Sequence, residues 1–178
     1  MTEQQKQFLQ YAIVEQKKYD EISRLMKVDR KTLSAWWTEL EPVREELSAL
    51  RKLWKLKCKT LDFTAFKSWY DQAEKKCHYC GITAPQIHAP KESGLIHTKR
   101  WKTRGRKLEI ERLQPNEPYD NTRNLVFCCY WCNNAKSDEF SREEFLKIGQ
   151  VIKEIWKERR FNSRFTSDGS EIGVIKQK

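Results

Sequence analysis

The stretch CCYWCNNAK, residues 128–136, sets three cysteines within five positions and follows them at once with two asparagines and a lysine. Cys129 and Cys132 bracket Tyr130 and Trp131, and an upstream CHYC repeats the spacing with Cys77 and Cys80 around His78 and Tyr79. A tetrahedral zinc takes four soft ligands, and each such knuckle presents two thiolates from one tight turn. A thioredoxin-like pair or buried free thiols are the alternatives, and neither calls for two matched knuckles. The lobe between the knuckles holds a long basic loop and too little apolar surface to support itself, so a structural metal would supply the missing folding free energy. Cys128 and Cys58 stand outside the knuckles and read as small apolar residues.

Composition agrees with a metal-stapled protein that meets polyanions. The 178 residues carry a formal charge of +10, with 38% hydrophobic residues and seven Trp, six Tyr and eight Phe. Such a surface attracts nucleic acid, and the aromatic groups can stack or wedge against bases. The start MTEQQKQFLQ lacks the basic-then-apolar layout of a secretory signal and the apolar runs are short. The expectation is a cytoplasmic protein with no membrane association, whose six cysteines stay reduced.

Four segments follow from the patterning. Residues 1–41 read as a helix-turn-helix-like DNA-binding unit: in YDEISRLMKVDRKTLSAWW, Ile22, Leu25 and Met26 face inward, Val28 fills the turn, and Leu33 with Trp36 or Trp37 anchors the next helix. Asp29 caps that helix and leaves Arg30, Lys31 and Ser34 near its start, where such a helix meets base edges. The alternative is a three-helix packing unit with solvated charges. Residues 42–60 read as a basic joining helix opened by Pro42, with Leu47, Leu50, Leu53, Trp54 and Leu56 on its apolar side. Residues 61–160 carry the knuckles, a helix at about 62–75 with Phe63, Phe66, Trp69, Tyr70 and Ala73 on one face, and a closing helix from Ser141. Ser141 and Glu144 form a capping box there, ahead of a buried stripe of Phe145, Ile148, Ile152, Ile155 and Trp156. Residues 161–178 read as a flexible tail.

Between the knuckles lies LEIERLQPNEPYDNTRNLVF, with Leu108 and Ile110 alternating as in a short strand, Pro115 to Asn121 as a wide turn, and NLVF as a second strand entering a helix. Strand, turn, strand and helix with a zinc clamp at the base make a ββα-metal arrangement. The fold class is therefore α+β and mostly helical.

From about Phe63 to Trp156 the chain resembles the HNH nuclease family, most closely its rare-cutting restriction enzymes. The elements that carry the resemblance are FTAFKSWY, CHYCG, IER…PY…NTRNL, CYWCNNAKSDEFS and a closing EIW. The N-terminal third differs from the zinc-bearing start of those enzymes. The resemblance implies a DNA endonuclease in which Glu111 and Asn133 hold a catalytic magnesium or manganese ion. It also implies that Asn124 braces the turn and that Arg112 clamps phosphate. Arginine stands where most HNH enzymes carry a histidine base, and arginine cannot accept a proton near neutral pH. The restriction enzymes of this branch also carry arginine there, and a tyrosine is thought to start cleavage in them. No tyrosine occurs between Cys80 and Tyr119, so His97 is read as the base. Asn124 and Asn133 read alternatively as a turn cap and a helix cap. Lys99, Arg100, Lys102, Arg104, Arg106, Lys107 and Lys136 are expected to meet backbone phosphates.

Three functions follow. A restriction-type endonuclease would act on double-stranded DNA as a homodimer, because one small site cuts one strand. A homing or mobile-element nuclease would use a separate DNA-reading unit equally well. A catalytically inactive DNA-binding regulator is the third reading, favoured by the Glu111-Arg112 departure from the usual pair.

Overall fold

The computed structural model describes residues 1–92 and 105–164, those at 89–92 and 160–164 by their backbone alone. His97, Lys99, Arg100, Lys102, Arg104 and most of the expected tail lie outside the described residues. The chain divides into two compact units, the first comprising Met1–Gln72 with Tyr119–Thr122 and the second comprising the rest.

The first unit is all helical. Thr2 and Gln5 close a capping box on α1 (Glu3–Leu9), which runs into a π-helical turn at Gln10–Val14. The chain then forms α2 (Tyr19–Met26) and reverses at Lys27, which takes the left-handed conformation at φ 55. Asp29 accepts from the Thr32 amide at 2.9 Å and so caps α3 (Arg30–Glu39). The cap satisfies an amide that has no partner inside the helix. Phe8, Leu9, Ile13, Ile22, Leu33 and Leu40 form the core, with Tyr19, Trp36 and Trp37 packed around it. Phe8 sits at its centre, with the rings of Tyr19 and Trp36 each 5.9 Å away. Leu25 is exposed, against expectation. The short α2 buries the line through Ile22 and Met26, and Leu25 falls on the flank beside it.

Pro42 stands in the first turn of α4 (Glu41–Lys57), and α5 is Phe63–Gln72. Leu50 is buried and Trp54 packs edge-on against Phe63 at 5.3 Å, while its Nε1 donates to the Leu61 carbonyl at 2.7 Å. Leu56 is exposed rather than inward. At 100° per residue it lies on the opposite side of the helix from Leu47, so the line Leu47–Leu50–Trp54 leaves it in solvent. Cys58 is fully buried, and burial pushes its thiol up to about 11.

The second unit begins with the first knuckle. The Cys77 amide donates to Ile82 O at 2.8 Å and the Gly81 amide to Cys77 O at 2.9 Å, with Gly81 at φ +72 closing the turn. Helix α6 (Ala84–Glu92) follows, then β1 (Glu109–Arg112), a 3-10 turn at Thr122–Asn124, and β2 (Leu125–Cys128). The two strands are antiparallel, pairing Glu109 with Cys128, Ile110 with Phe127, Glu111 with Val126 and Arg112 with Leu125. Helix α7 (Tyr130–Lys136) leaves β2 directly, and α8 (Arg142–Arg164) closes the unit. The Glu144 carboxylate accepts from the Ser141 amide and hydroxyl, and Ser141 Oγ accepts from the Glu144 amide, which closes a capping box at the start of α8. The core gathers Cys77, Tyr79, Cys80, Ile82, Ile87, Cys128, Cys129, Cys132, Phe145 and Trp156. Ile148 and Ile155, expected inside, are exposed. The buried line of α8 runs Phe145–Gly149–Ile152–Trp156, one residue round from them. Gly149 allows this line: a Cβ there would stand 2.7 Å from Tyr79 Cβ and 2.8 Å from Tyr79 O. Among the described residues the fold is thus mostly helical with one two-stranded sheet. Among the described residues no helix is long and apolar enough to cross a membrane.

Candidate functional site

Two Cys-x-x-Cys turns meet in the second unit. The first sits between α5 and α6, and the second spans the start of α7, where Cys129 is the N-terminal flanking residue and Cys132 lies in the first turn. The sulfurs of Cys77, Cys80, Cys129 and Cys132 all lie within 4.8 Å of one another and all four residues are buried. A hydrogen bond from the His78 amide to Phe127 O at 2.8 Å ties the first knuckle to β2. Zinc bonded to sulfur at about 2.3 Å in a tetrahedron separates its ligands by about 3.8 Å. Cys80 Sγ and Cys129 Sγ are 3.7 Å apart. The donor set therefore fits a structural zinc in size and in chemistry. Hydrogen bonds from Cys128 first, then Cys129, Cys132 and Cys80, hold the Cys77 thiol far below its ordinary value. Sharing with Cys132, Cys77 and Cys80 drives the Cys129 thiol up. With one thiolate in the cluster the next proton is held harder, and a divalent cation removes that conflict.

Cys128 is buried as expected for a small apolar residue, yet its Sγ is 3.9 Å from Cys77 Sγ, which makes it a fifth sulfur at the edge of the cluster. Tyr79, inside the first knuckle, is buried with its ring 4.9 Å from that of Phe145. Burial raises its phenol above the ordinary range. Burial, and then the Arg142 charge, lower His78, whose Nε2 accepts from Arg142 Nε at 3.3 Å.

The same helix that carries the second knuckle covers one face of the sheet. Side chains alternate along a strand, so the observed register puts Glu109, Glu111, Val126 and Cys128 together on one face. Residues three apart on a helix share a side, and α7 answers the two carboxylates with Asn133 and Lys136. Asn133 Nδ2 donates to Glu109 Oε2, and Lys136 Nζ stands 3.6 Å from Glu111 Oε1. Glu111 is 6% exposed and Lys136 is 0% exposed.

Glu111 and Asn133, read from the sequence as ligands of a catalytic ion, thus lie on facing elements but hold different partners. Lys136, expected at DNA phosphates, is buried here, because α7 turns that side chain onto β1. Among the described residues the four cysteines are the one cluster of three or more acidic, histidine or cysteine side chains with metal-binding proximity. Glu109 and Glu111 put two carboxylates on this face, the hard oxygen donors that magnesium and manganese prefer.

Arg112 points to the other face. Its Nη1 donates to Glu117 O at 3.1 Å and its Nη2 lies 3.5 Å from Asp138 Oδ1. Asn124 is buried and clips the loop shut: Oδ1 accepts from the Gln114 amide at 2.8 Å, Nδ2 donates to Gln114 O at 3.3 Å, and its carbonyl accepts from the Leu113 amide at 2.9 Å. Arg30, Lys31 and Ser34 are exposed at the start of α3, with Arg30 paired to Asp20 at 3.0 Å. Arg106 and Lys107 are exposed as well.

Glu109 was missing from the sequence reading. Its signal was present: in LEIER the two glutamates are two apart, which on a strand places them on the same face. Gly149 also had a readable signal, since a glycine within a helix costs about 1 kcal/mol against alanine and so marks a close approach.

No protein-family model matches the chain. No curated protein matches it. Among solved structures, that of the rare-cutting HNH restriction endonuclease PacI is similar, at 25% identity over 70% of this chain and 78% of that one, with a TM-score of 0.47.

Proposed function

We propose that this protein is a DNA endonuclease of HNH type, hydrolysing phosphodiesters at the face of β1 covered by α7. The observation that carries the reading is one piece of geometry. A four-cysteine clamp joins the knuckle, β2 and α7, and the strand-helix face above it holds Glu109 and Glu111 against Asn133 and Lys136. A magnesium or manganese ion, when bound, would offset charge on the scissile phosphate and on the leaving oxygen.

The chain's own residues do the rest. Glu111, Glu109 and the Asn133 amide oxygen offer hard donors from two elements whose spacing the zinc clamp sets. Arg112, turned to the other face of β1, is proposed to present a planar cation to a flanking backbone phosphate in exchange for Asp138. Asn124 keeps the loop after β1 in one conformation, which matters because misplacement by about 1 Å costs a large part of the rate. His97 is proposed as the base that activates water.

The finer reading is a sequence-specific, restriction-type enzyme that cuts both strands of double-stranded DNA as a homodimer. The start of α3, with Arg30, Lys31 and Ser34, is proposed to read bases. The basic segment of Lys99, Arg100, Lys102, Arg104 and Arg106 is proposed to hold the backbone. The second reading is a DNA-binding protein without chemistry, and the ammonium of Lys136 beside Glu111 favours it.

Incubation of supercoiled plasmid with the zinc-loaded protein and magnesium or manganese tests the choice. Nicked and linear products support the nuclease. A gel shift without strand breaks under either ion supports the regulator.

A further inference from the structure

Lys136 is the anomaly of the second unit. Its ammonium is fully buried and has no hydrogen-bond acceptor among the described residues, and Glu111 Oε1 at 3.6 Å stands just beyond hydrogen-bond reach. A buried cation in this condition is costly, and a protein gains little stability from an ion pair so placed. The pair sits on the face where Glu109 and Asn133 also meet, so the lysine balances one of two carboxylates while the other is held by a neutral amide.

We propose that Lys136 is a positioning residue: an internal counter-cation that balances Glu111 while DNA is absent and makes divalent-ion binding at this face depend on DNA. The proposal rests on the nuclease reading above. A divalent cation approaching Glu111 in the free protein meets an ammonium already next to the same carboxylate, and the buried setting screens their repulsion poorly. A DNA phosphate adds the negative charge that offsets both cations. Metal and DNA then assist each other's binding by the same factor. A free chain would in this way hold little catalytic metal, and the complete charge set would assemble only on its substrate.

The test uses the full, zinc-loaded chain and manganese, with unbound ion followed by its electron paramagnetic resonance signal. Binding is measured with and without a mixed-sequence DNA duplex, and Glu111→Gln gives the background from DNA and from other sites. The expected result is that wild-type, Glu111-dependent affinity for manganese rises about tenfold or more when duplex is present. Lys136→Met keeps the length of the side chain and removes the charge. It should bind manganese about tenfold more tightly than wild type without DNA and lose most of the dependence on duplex.

Equal wild-type affinity with and without duplex overturns the proposal. So does a Lys136→Met protein with native zinc content and native circular dichroism that binds manganese as wild type does. Should that variant fail to fold, the wild-type comparison decides alone. If Glu111-dependent binding is absent in both states, the nuclease reading falls and takes the proposal with it.

Discussion

Gly149→Ala tests whether α8 presses directly on the first knuckle. The added Cβ would stand 2.7 Å from Tyr79 Cβ, 2.8 Å from Tyr79 O and 2.9 Å from Tyr79 C, whereas ordinary contacts begin at 3.4 Å. Two of those atoms are backbone, in a turn whose ends are Cys77 and Cys80, so no rotamer change relieves the overlap. The helix must back away by several tenths of an ångström. That loosens Phe145 against Tyr79 and Trp156 against Trp131, whose ring centroids are each 4.9 Å apart. Overpacking of this kind costs about 1–3 kcal/mol. Alanine returns about 1 kcal/mol of helix propensity. Because the overlap is largely with backbone, the upper part of that range, about 2–3 kcal/mol, applies, and the net loss is about 1–2 kcal/mol. In a chain of this size each kcal/mol moves Tm by about 2–4 °C, so the variant should melt about 2–8 °C lower. Thermal unfolding of zinc-loaded protein measures it, with transfer of zinc to a chromogenic chelator as a second readout. Gln150→Ala, on the exposed side of the same turn, should change neither. A Gly149→Ala protein as stable as wild type, releasing zinc at the same rate, would refute the packing described.

Two further predictions concern the clamp and the first unit. Chelation of zinc should abolish the near-ultraviolet signal of Trp131 and Trp156 and leave the helices of the first unit, which has its own core; re-addition of zinc should restore it, and Cys132→Ser should not be restored. The Asp29 carboxylate is held below the usual range by the Thr32 hydroxyl first and the Thr32 amide next. A depressed folded-state pKa contributes stability that is present above the ordinary aspartate range and is lost as pH falls through the folded value. Asp29→Ala should therefore destabilise the first unit near neutral pH, and the gap from wild type should narrow on acidification, as urea midpoints across pH would show.

The parts of this structure legible in the sequence were those encoded by local chemistry. The paired knuckles follow from cysteine spacing, the strand of Glu109–Arg112 from alternation, α3 from Asp29, and α8 from Ser141 with Glu144. Periodicity was less informative about which side of a helix is covered. Leu25, Leu56, Ile148 and Ile155 match apolar spacing yet are exposed, because one neighbouring element covers only a narrow line on each helix. Lys136 shows the deeper difficulty. On a basic chain a lysine near the end of a short helix reads as a phosphate contact, and only the crossing of α7 over β1 decides that it points at Glu111. That crossing depends on Cys129 and Cys132 being tied to a turn some fifty positions earlier, about which local sequence says nothing.

DNA hydrolysis at the face of β1 under α7 is a proposal that strand cleavage can decide. Single-turnover nicking of supercoiled plasmid in manganese, wild type against Glu111→Gln at matched zinc content, tests it most directly. The expected result is cleavage by wild type and a loss of at least about a hundredfold in the variant, which keeps the shape of the side chain and removes its charge. Equal cleavage by both proteins, or binding of the plasmid with no strand broken by either, would contradict it.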